Sequence, residues 1–239
     1  MKKKIILACS FLLASEAAMA SDLEALMQRC APEIHPTTLG AIVRTESYGK
    51  AFVISDDGPA NQPWSVRKTM LRSFNPATAQ DAVALVEKLT GEGHIVGIGL
   101  TQINSRNLVR LGLSVTSALE PCTNLRYGAK ILLDSYQSAF KKYQNKDQAL
   151  VAAISAYNTG DFENGVSNGY VQKVVNATQY QVPELKLGHG GATIAASYKP
   201  MRANLASNSI KPKSISAVEN GAGNRLLAAK FAVIEVESF

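Results

Sequence analysis

Tryptophan occurs once in this chain of 239 residues, and histidine and cysteine three times each. His35, His94 and His189 stand far apart without ligand-like spacing, so no metal centre is expected. Lysine and arginine outnumber aspartate and glutamate, 25 to 19, but form no dense cluster. With no nucleic-acid-binding motif either, nucleic acid is not an expected partner. Beyond the N-terminus no apolar run reaches the length that spans a bilayer; the best, residues 226–236, is short and holds Lys230 and Glu235. No succession of period-two segments marks a set of strands, which leaves a mainly α, helical globule as the expected fold class.

What the N-terminus does have is an export signature. Lys2, Lys3 and Lys4 precede an apolar stretch over residues 5–13, and Ala18-Met19-Ala20 places small residues where a signal peptidase reads. Residues 1–20 are therefore expected to be a cleavable signal peptide, with the mature protein in the periplasm and without a membrane span. Cleavage before Ser21 leaves 22 basic against 18 acidic residues, a net +4 in place of +6. A mildly basic protein suits a polyanionic surface such as cell-wall polymer without identifying one.

Removal of the leader takes Cys9 and leaves Cys30 and Cys122. An even pair in an exported chain reads as a disulfide, with two separate buried thiols as the alternative. A bridge closing so long a loop contributes about 4–5 kcal/mol in the chain-entropy view, less any strain.

Residues 21–181 read as one helical domain, and roughly 160 residues suffice for a single core. Asp22 heads a short helix ending near Cys30. Thr37 or Thr38 caps a second that carries Leu39, Ile42 and Val43, with Glu46 one turn beyond Ile42. Asn75-Pro76 opens a helix that Gly91 ends. Leu125, Gly128, Ala129, Leu132, Leu133, Tyr136 and Phe140 form the longest apolar stripe, with Lys141 and Lys142 at its dipole-favoured end. Further helices are expected from Asp147 to Gly160 and over residues 168–180. Residues 182–239, rich in Gly, Ala, Ser, Asn and Lys, read as a low-complexity, flexible tail.

Three segments carry candidate chemistry. Glu46 follows an apolar face and ends a helix; burial and the helix dipole would both raise its pKa, as a general acid needs. Ser47 follows directly and is placed to hydrogen-bond near the carboxyl. In Gly99-Leu100-Thr101-Gln102-Ile103-Asn104, the glycines at 97 and 99 allow close backbone approach to a ligand, and the Gln102 amide can donate and accept. In Ala156-Tyr157-Asn158-Thr159-Gly160, Tyr157 offers a ring and Asn158 an amide where Gly160 stops a helix. Taken singly, each segment also reads as ordinary structure: a solvated glutamate, a glycine loop, a helix end.

Together these segments resemble one family. Glu46-Ser47, Gly-Leu-x-Gln, Asn124-Leu125-x-x-Gly128-x-x-Ile131-Leu132 and Ala-Tyr-Asn-x-Gly with Tyr170-Val171 downstream are similar, in type and order, to the soluble-lytic-transglycosylase domain, over about residues 23–180. Size, leader and tail look most like the transglycosylases of type IV secretion and conjugation systems. The resemblance implies a lysozyme-like (goose-type lysozyme/transglycosylase) helical fold. It also implies cleavage, without cofactor or metal, of the β-1,4 bond between N-acetylmuramic acid and N-acetylglucosamine in peptidoglycan. Glu46 would be the catalytic acid and then base; Gln102, Tyr157, Asn158 and, more weakly, Ser47 would line the substrate cleft. Type IV secretion or conjugation components are the implied partners, through the C-terminal tail.

The chain departs from the family pattern at Thr101, where many relatives have a methionine that packs on the sugar, and in a longer stretch over residues 49–98. No second carboxylate has a supporting pattern; Asp161 and Glu163 are the nearest candidates, ahead of Asp56, Asp57 and Glu92. A single acid favours an anhydro-forming lyase. A hydrolytic muramidase and a non-catalytic wall-binding scaffold are the alternatives.

Overall fold

A computed structural model describes residues 22–188. Residues 1–20, expected to be a signal peptide, His189 and the segment over residues 226–236 lie outside the described residues. In chain order the elements are helices α1 (Asp22–Cys30) and α2 (Pro36–Glu46), strand β1 (Ile54–Pro59), α3 (Trp64–Arg67), β2 (Arg72–Phe74), α4 (Ala79–Gly91), β3 (His94–Ile98) and β4 (Ile103–Asn104). A 3-10 turn (Ser105–Asn107) leads to α5 (Leu108–Leu111), α6 (Val115–Leu119), α7 (Pro121–Tyr143), α8 (Lys146–Thr159), α9 (Asn164–Ser167) and α10 (Tyr170–Ala177). The mainly α expectation holds. Among the described residues no helix is long and apolar enough to cross a membrane.

Local chemistry sets the helix starts. The α2 helix begins at Pro36, earlier than a threonine cap would place it, because His35 Nδ1 accepts from Thr37 N at 3.2 Å. Thr78 caps α4 by accepting from Asp81 N at 3.1 Å, so Asn75 and Pro76 precede the helix rather than open it. Glu120 caps α7, its two carboxylate oxygens taking Cys122 N and Thr123 N, with Pro121 in the first turn. Asn145 caps α8, and Gly160, with φ +74°, ends it in the left-handed conformation.

The α7 stripe is the spine of the core. Leu125, Gly128, Ala129 and Leu132 are buried, while Phe140 belongs to a small second cluster with Ala139, Ala149 and Ala152. Gly128 is required by contact: a Cβ there would stand 2.4 Å from Thr101 Oγ1. The disulfide joins Cys30, at the end of α1, to Cys122 in the first turn of α7, across 92 residues.

The long stretch over residues 49–98 supplies three of four strands that periodicity did not disclose. Four short strands form an antiparallel sheet in the order β2-β1-β3-β4. Ile54 pairs with Phe74 on one side and Ile98 on the other. The strands are two to six residues long, and β1 (Ile-Ser-Asp-Asp-Gly-Pro) is poor in strand formers. Asp56 is fully buried because its carboxylate is matched: Gly58 N at 2.9 Å, Arg72 Nε at 3.0 Å and His94 Nδ1 at 2.8 Å surround it. Burial pushes its pKa up, and these partners outweigh burial and hold it below the usual range.

Residues 182–188, read from composition as the start of the tail, lie against the folded body. Val182 packs on Gly40, Leu185 and Leu187 pack on the core, and Lys50 and Lys186 form a parallel bridge. Gly49, with φ +78°, admits this strap; a Cβ there would meet Glu184 O at 2.0 Å.

Candidate active site

Glu46 is the last residue of α2, half-buried at the floor of an open cleft of about 350 Å³. The cleft is lined by Glu46, Ser47, Tyr48, Lys50, Val53, Ser73 and Lys186. Val53 and Ser73 belong to the long stretch before and within the sheet, which thereby supplies one wall of the cleft. Ser73 pairs with Ser55, and Ser55 with Gly97, so these positions share a face of the sheet.

Burial raises the Glu46 pKa from 4.5 to about 7. A hydrogen bond from Tyr170 and the charge of Lys173 pull it down, and the charge of Asp57 pushes it up. The Tyr170 hydroxyl donates to Glu46 Oε1. A carboxyl half-protonated near neutrality can give a proton and then take one, which is what a single acid-base group needs.

Tyr170 opens α10, which packs against α2 and α8. Its place is set by a relay. Asn158 Oδ1 accepts from Asn168 Nδ2 at 3.1 Å, and Asn168 Oδ1 accepts from Tyr170 N at 2.9 Å. Asn158, expected in the substrate cleft, is exposed and connects through this chain to Tyr170, the partner of Glu46. Tyr157 donates from its hydroxyl to Thr101 O at 2.7 Å. Burial and the Glu46 charge keep both phenols protonated. Tyr157 and Tyr170 thus stand beside the acid with one phenol tied to the backbone and the other to the carboxyl.

The other expected site residues, Ser47 and Gln102, donate to backbone carbonyls of the surrounding loops. Ser47 lines the cleft, but its Oγ donates to Leu100 O at 2.8 Å, with Val43 O 3.1 Å away, instead of orienting the carboxyl. It ties the end of α2 to the loop over residues 97–102. Gln102 spends its amide nitrogen on Gly99 O (2.8 Å) and Val53 O (3.0 Å), leaving only Oε1 to accept. Its φ of +50° costs about 1–2 kcal/mol. The flanking Leu100 and Ile103 are fully buried, each contributing roughly 1.5–3 kcal/mol, which outweighs that cost.

The close approach that Gly97 and Gly99 permit is by the protein's own side chains. A Cβ at 97 would meet Ser55 Oγ at 2.4 Å and Gln102 Oε1 at 2.6 Å; one at 99 would meet Asn124 Nδ2 at 2.5 Å. Thr101, the departure from the expected family pattern, is fully buried, with Oγ1 on Asn124 Oδ1 at 2.8 Å.

Asn124 is the part least visible beforehand. It is wholly buried on α7, donates to Ile98 O (2.9 Å) and Ala118 O (2.6 Å), and accepts from Thr101 N (2.8 Å). A polar side chain at the head of an apolar stripe was its signal, as the Tyr170-Val171 pair of the family resemblance was for Tyr170. Asp161 accepts from the backbone N–H groups of Glu163 and Asn164, and exposed Glu163 lies 3.9 Å from Lys142. Neither is among the charges that reach Glu46. Asp57 is the acidic group whose charge reaches Glu46; burial raises its own pKa against a Ser55 hydrogen bond and the Arg67 charge. Among the described residues no cluster fit to hold a metal ion occurs.

The family profile of the transglycosylase SLT domain matches residues 25–178. Protein virB1 of Agrobacterium fabrum is 38% identical over 183 residues, covering 76% of this chain and 70% of that protein. Type IV secretion system protein virB1 of Brucella melitensis biotype 1 is 33% identical over 215 residues, covering 83% and 86%. No solved structure matches significantly.

Proposed function

The chain belongs to the transglycosylase SLT family and is a peptidoglycan lytic transglycosylase; from that premise we propose that Glu46 performs both proton transfers of a non-hydrolytic cleavage. Protonated Glu46 donates to the glycosidic oxygen between N-acetylmuramic acid and N-acetylglucosamine, and the C1–O bond breaks. The substrate's N-acetyl oxygen stabilises the sugar cation. Glu46, now a carboxylate, takes the proton from the C6 hydroxyl, whose oxygen closes on C1. The product is a 1,6-anhydro end, and Glu46 is protonated again without consumption of water. Tyr170 holds the carboxyl in place through both states.

The observation that carries this reading is the half-buried Glu46 with its pKa at about 7. Product mass tests it. An anhydro end is one water lighter than a reducing end, and Glu46→Gln should abolish its formation; reducing ends alone would refute the reading. Asp57, whose charge reaches Glu46, favours hydrolysis as the second reading, since paired carboxylates activate water in most glycosidases. Asp57→Asn then removes reducing ends and spares anhydro ends.

The biological setting follows from the relatives and the leader. Kinship with type IV secretion proteins supports local opening of the wall for a secretion or conjugation apparatus. The export signature of residues 1–20 supports a periplasmic site of action. We assign the segment after residue 188 to docking of apparatus components; deleting it should leave cleavage intact and weaken recruitment to the apparatus.

A further inference from the structure

Lys50 and Lys186 both line the Glu46 cleft, and neither ammonium has an ion-pair or hydrogen-bond partner among the described residues. Their positions are fixed by backbone. Ala51 N donates to Lys186 O at 2.9 Å and Lys186 N donates to Gly49 O at 2.8 Å, so the two side chains spring from adjacent points of one bridge. Lys186 lies beyond the 25–178 span that the family profile matches, on the strap that Gly49 admits. The cleft therefore gains a cation from outside the common domain.

The charges that reach the Glu46 carboxyl are those of Asp57 and Lys173. Lys50 and Lys186 are not there to tune the acid. A glycan of N-acetyl sugars gives two free ammonium groups nothing to pair with, because the backbone sugars are uncharged. The negative charge nearest the cleaved bond is on the peptide that the muramic acid carries through its lactyl group, with its free carboxylates.

We propose that Lys50 and Lys186 form a carboxylate-binding subsite for the stem peptide of the muramic acid beside the cleaved bond. The subsite rests on the reading of Glu46 as the peptidoglycan-cleaving acid. It makes this enzyme prefer peptide-bearing glycan to naked glycan, with the strap supplying half of the preference.

The test uses the full mature chain in a Glu46→Gln background, where binding is measured without turnover. Two soluble ligands of equal sugar length are compared, one with stem peptides and one stripped by an amidase. Two solvent-facing ion pairs predict that Lys50→Ala with Lys186→Ala lowers the ratio of stem-bearing to stem-free affinity about fivefold. Lys50→Arg with Lys186→Arg restores the ratio, and added salt erodes the wild-type preference. Equal weakening toward both ligands, or no change in the ratio, overturns the subsite. Wild-type cleavage of both ligands is followed in parallel: absence of anhydro ends there counts against the Glu46 mechanism, whereas the affinity ratio reports on the lysines alone.

Discussion

Replacing Glu46 with glutamine should stabilise the protein at neutral pH while it removes activity. The side chain keeps its shape, and the amide oxygen can still accept from Tyr170, but the ionised form is gone. In the wild type the folded-state pKa is about 7 against 4.5 for the free group. Folded protein therefore holds the proton more tightly than unfolded chain between these values. Glu46 costs nothing below pH 4.5, where both states are protonated, and its cost grows as pH rises until the folded carboxyl ionises near 7. The full cost is about 3 kcal/mol, and about 2.5 kcal/mol of it accrues between pH 5 and 8. Urea unfolding of both proteins at pH 5, 6, 7 and 8 measures it, because every other titrating group cancels in the difference. The stability gap between Glu46→Gln and wild type should widen by about 2.5 kcal/mol over that range, with unchanged m-values. A gap that stays flat with pH would mean that Glu46 is ionised without penalty, and the acid-then-base assignment would lose its physical basis.

Tyr170→Phe removes a donor to the charged carboxyl, worth about 1.5–3 kcal/mol, and should move the alkaline limb of the kcat/KM profile upward by about 1–2 pH units. Asp57→Asn removes a charge that raises the Glu46 pKa, so the same limb should move toward acid; a shift in the same direction as Tyr170→Phe would contradict the electrostatic picture. Gly128→Ala drives a methyl into Thr101 and should cost about 1–3 kcal/mol in denaturant unfolding, with Thr101→Ser in the same chain recovering part of the loss.

The helices were largely legible because their signals are local. Apolar spacing along α7 and the Gly160 stop on α8 appear in the chain as written, and the even cysteine pair pointed to the bond between α1 and α7. Helix starts were off by one to four residues where a neighbouring side chain capped unexpectedly, as His35 does for α2. The sheet was not legible: β1 owes its place to Asp56, a strand-averse residue made tolerable by Arg72 and His94 from elsewhere in the chain. Glu46 stood out through its neighbours, but how its helpers act depended on tertiary contacts. Ser47 lines the cleft and Gln102 lies in the adjoining loop, yet both donate to backbone carbonyls, and no spacing rule distinguishes bracing a loop from touching a sugar. Tyr170 lies 124 residues from Glu46 and meets it only because α10 folds back over α2.

Asn124 holds the loop over residues 97–102 to α7 by bonds on both sides of its amide, and Ser47 ties the same loop to α2. The end of the helix that carries the acid, its loop and the central helix are therefore joined by buried side-chain hydrogen bonds. Across the opening, Ser73 sits on β2, a three-residue edge strand paired only with β1. One wall of the cleft is thus cross-braced by buried side chains around the proton donor, and the other is carried by the edge of a small sheet.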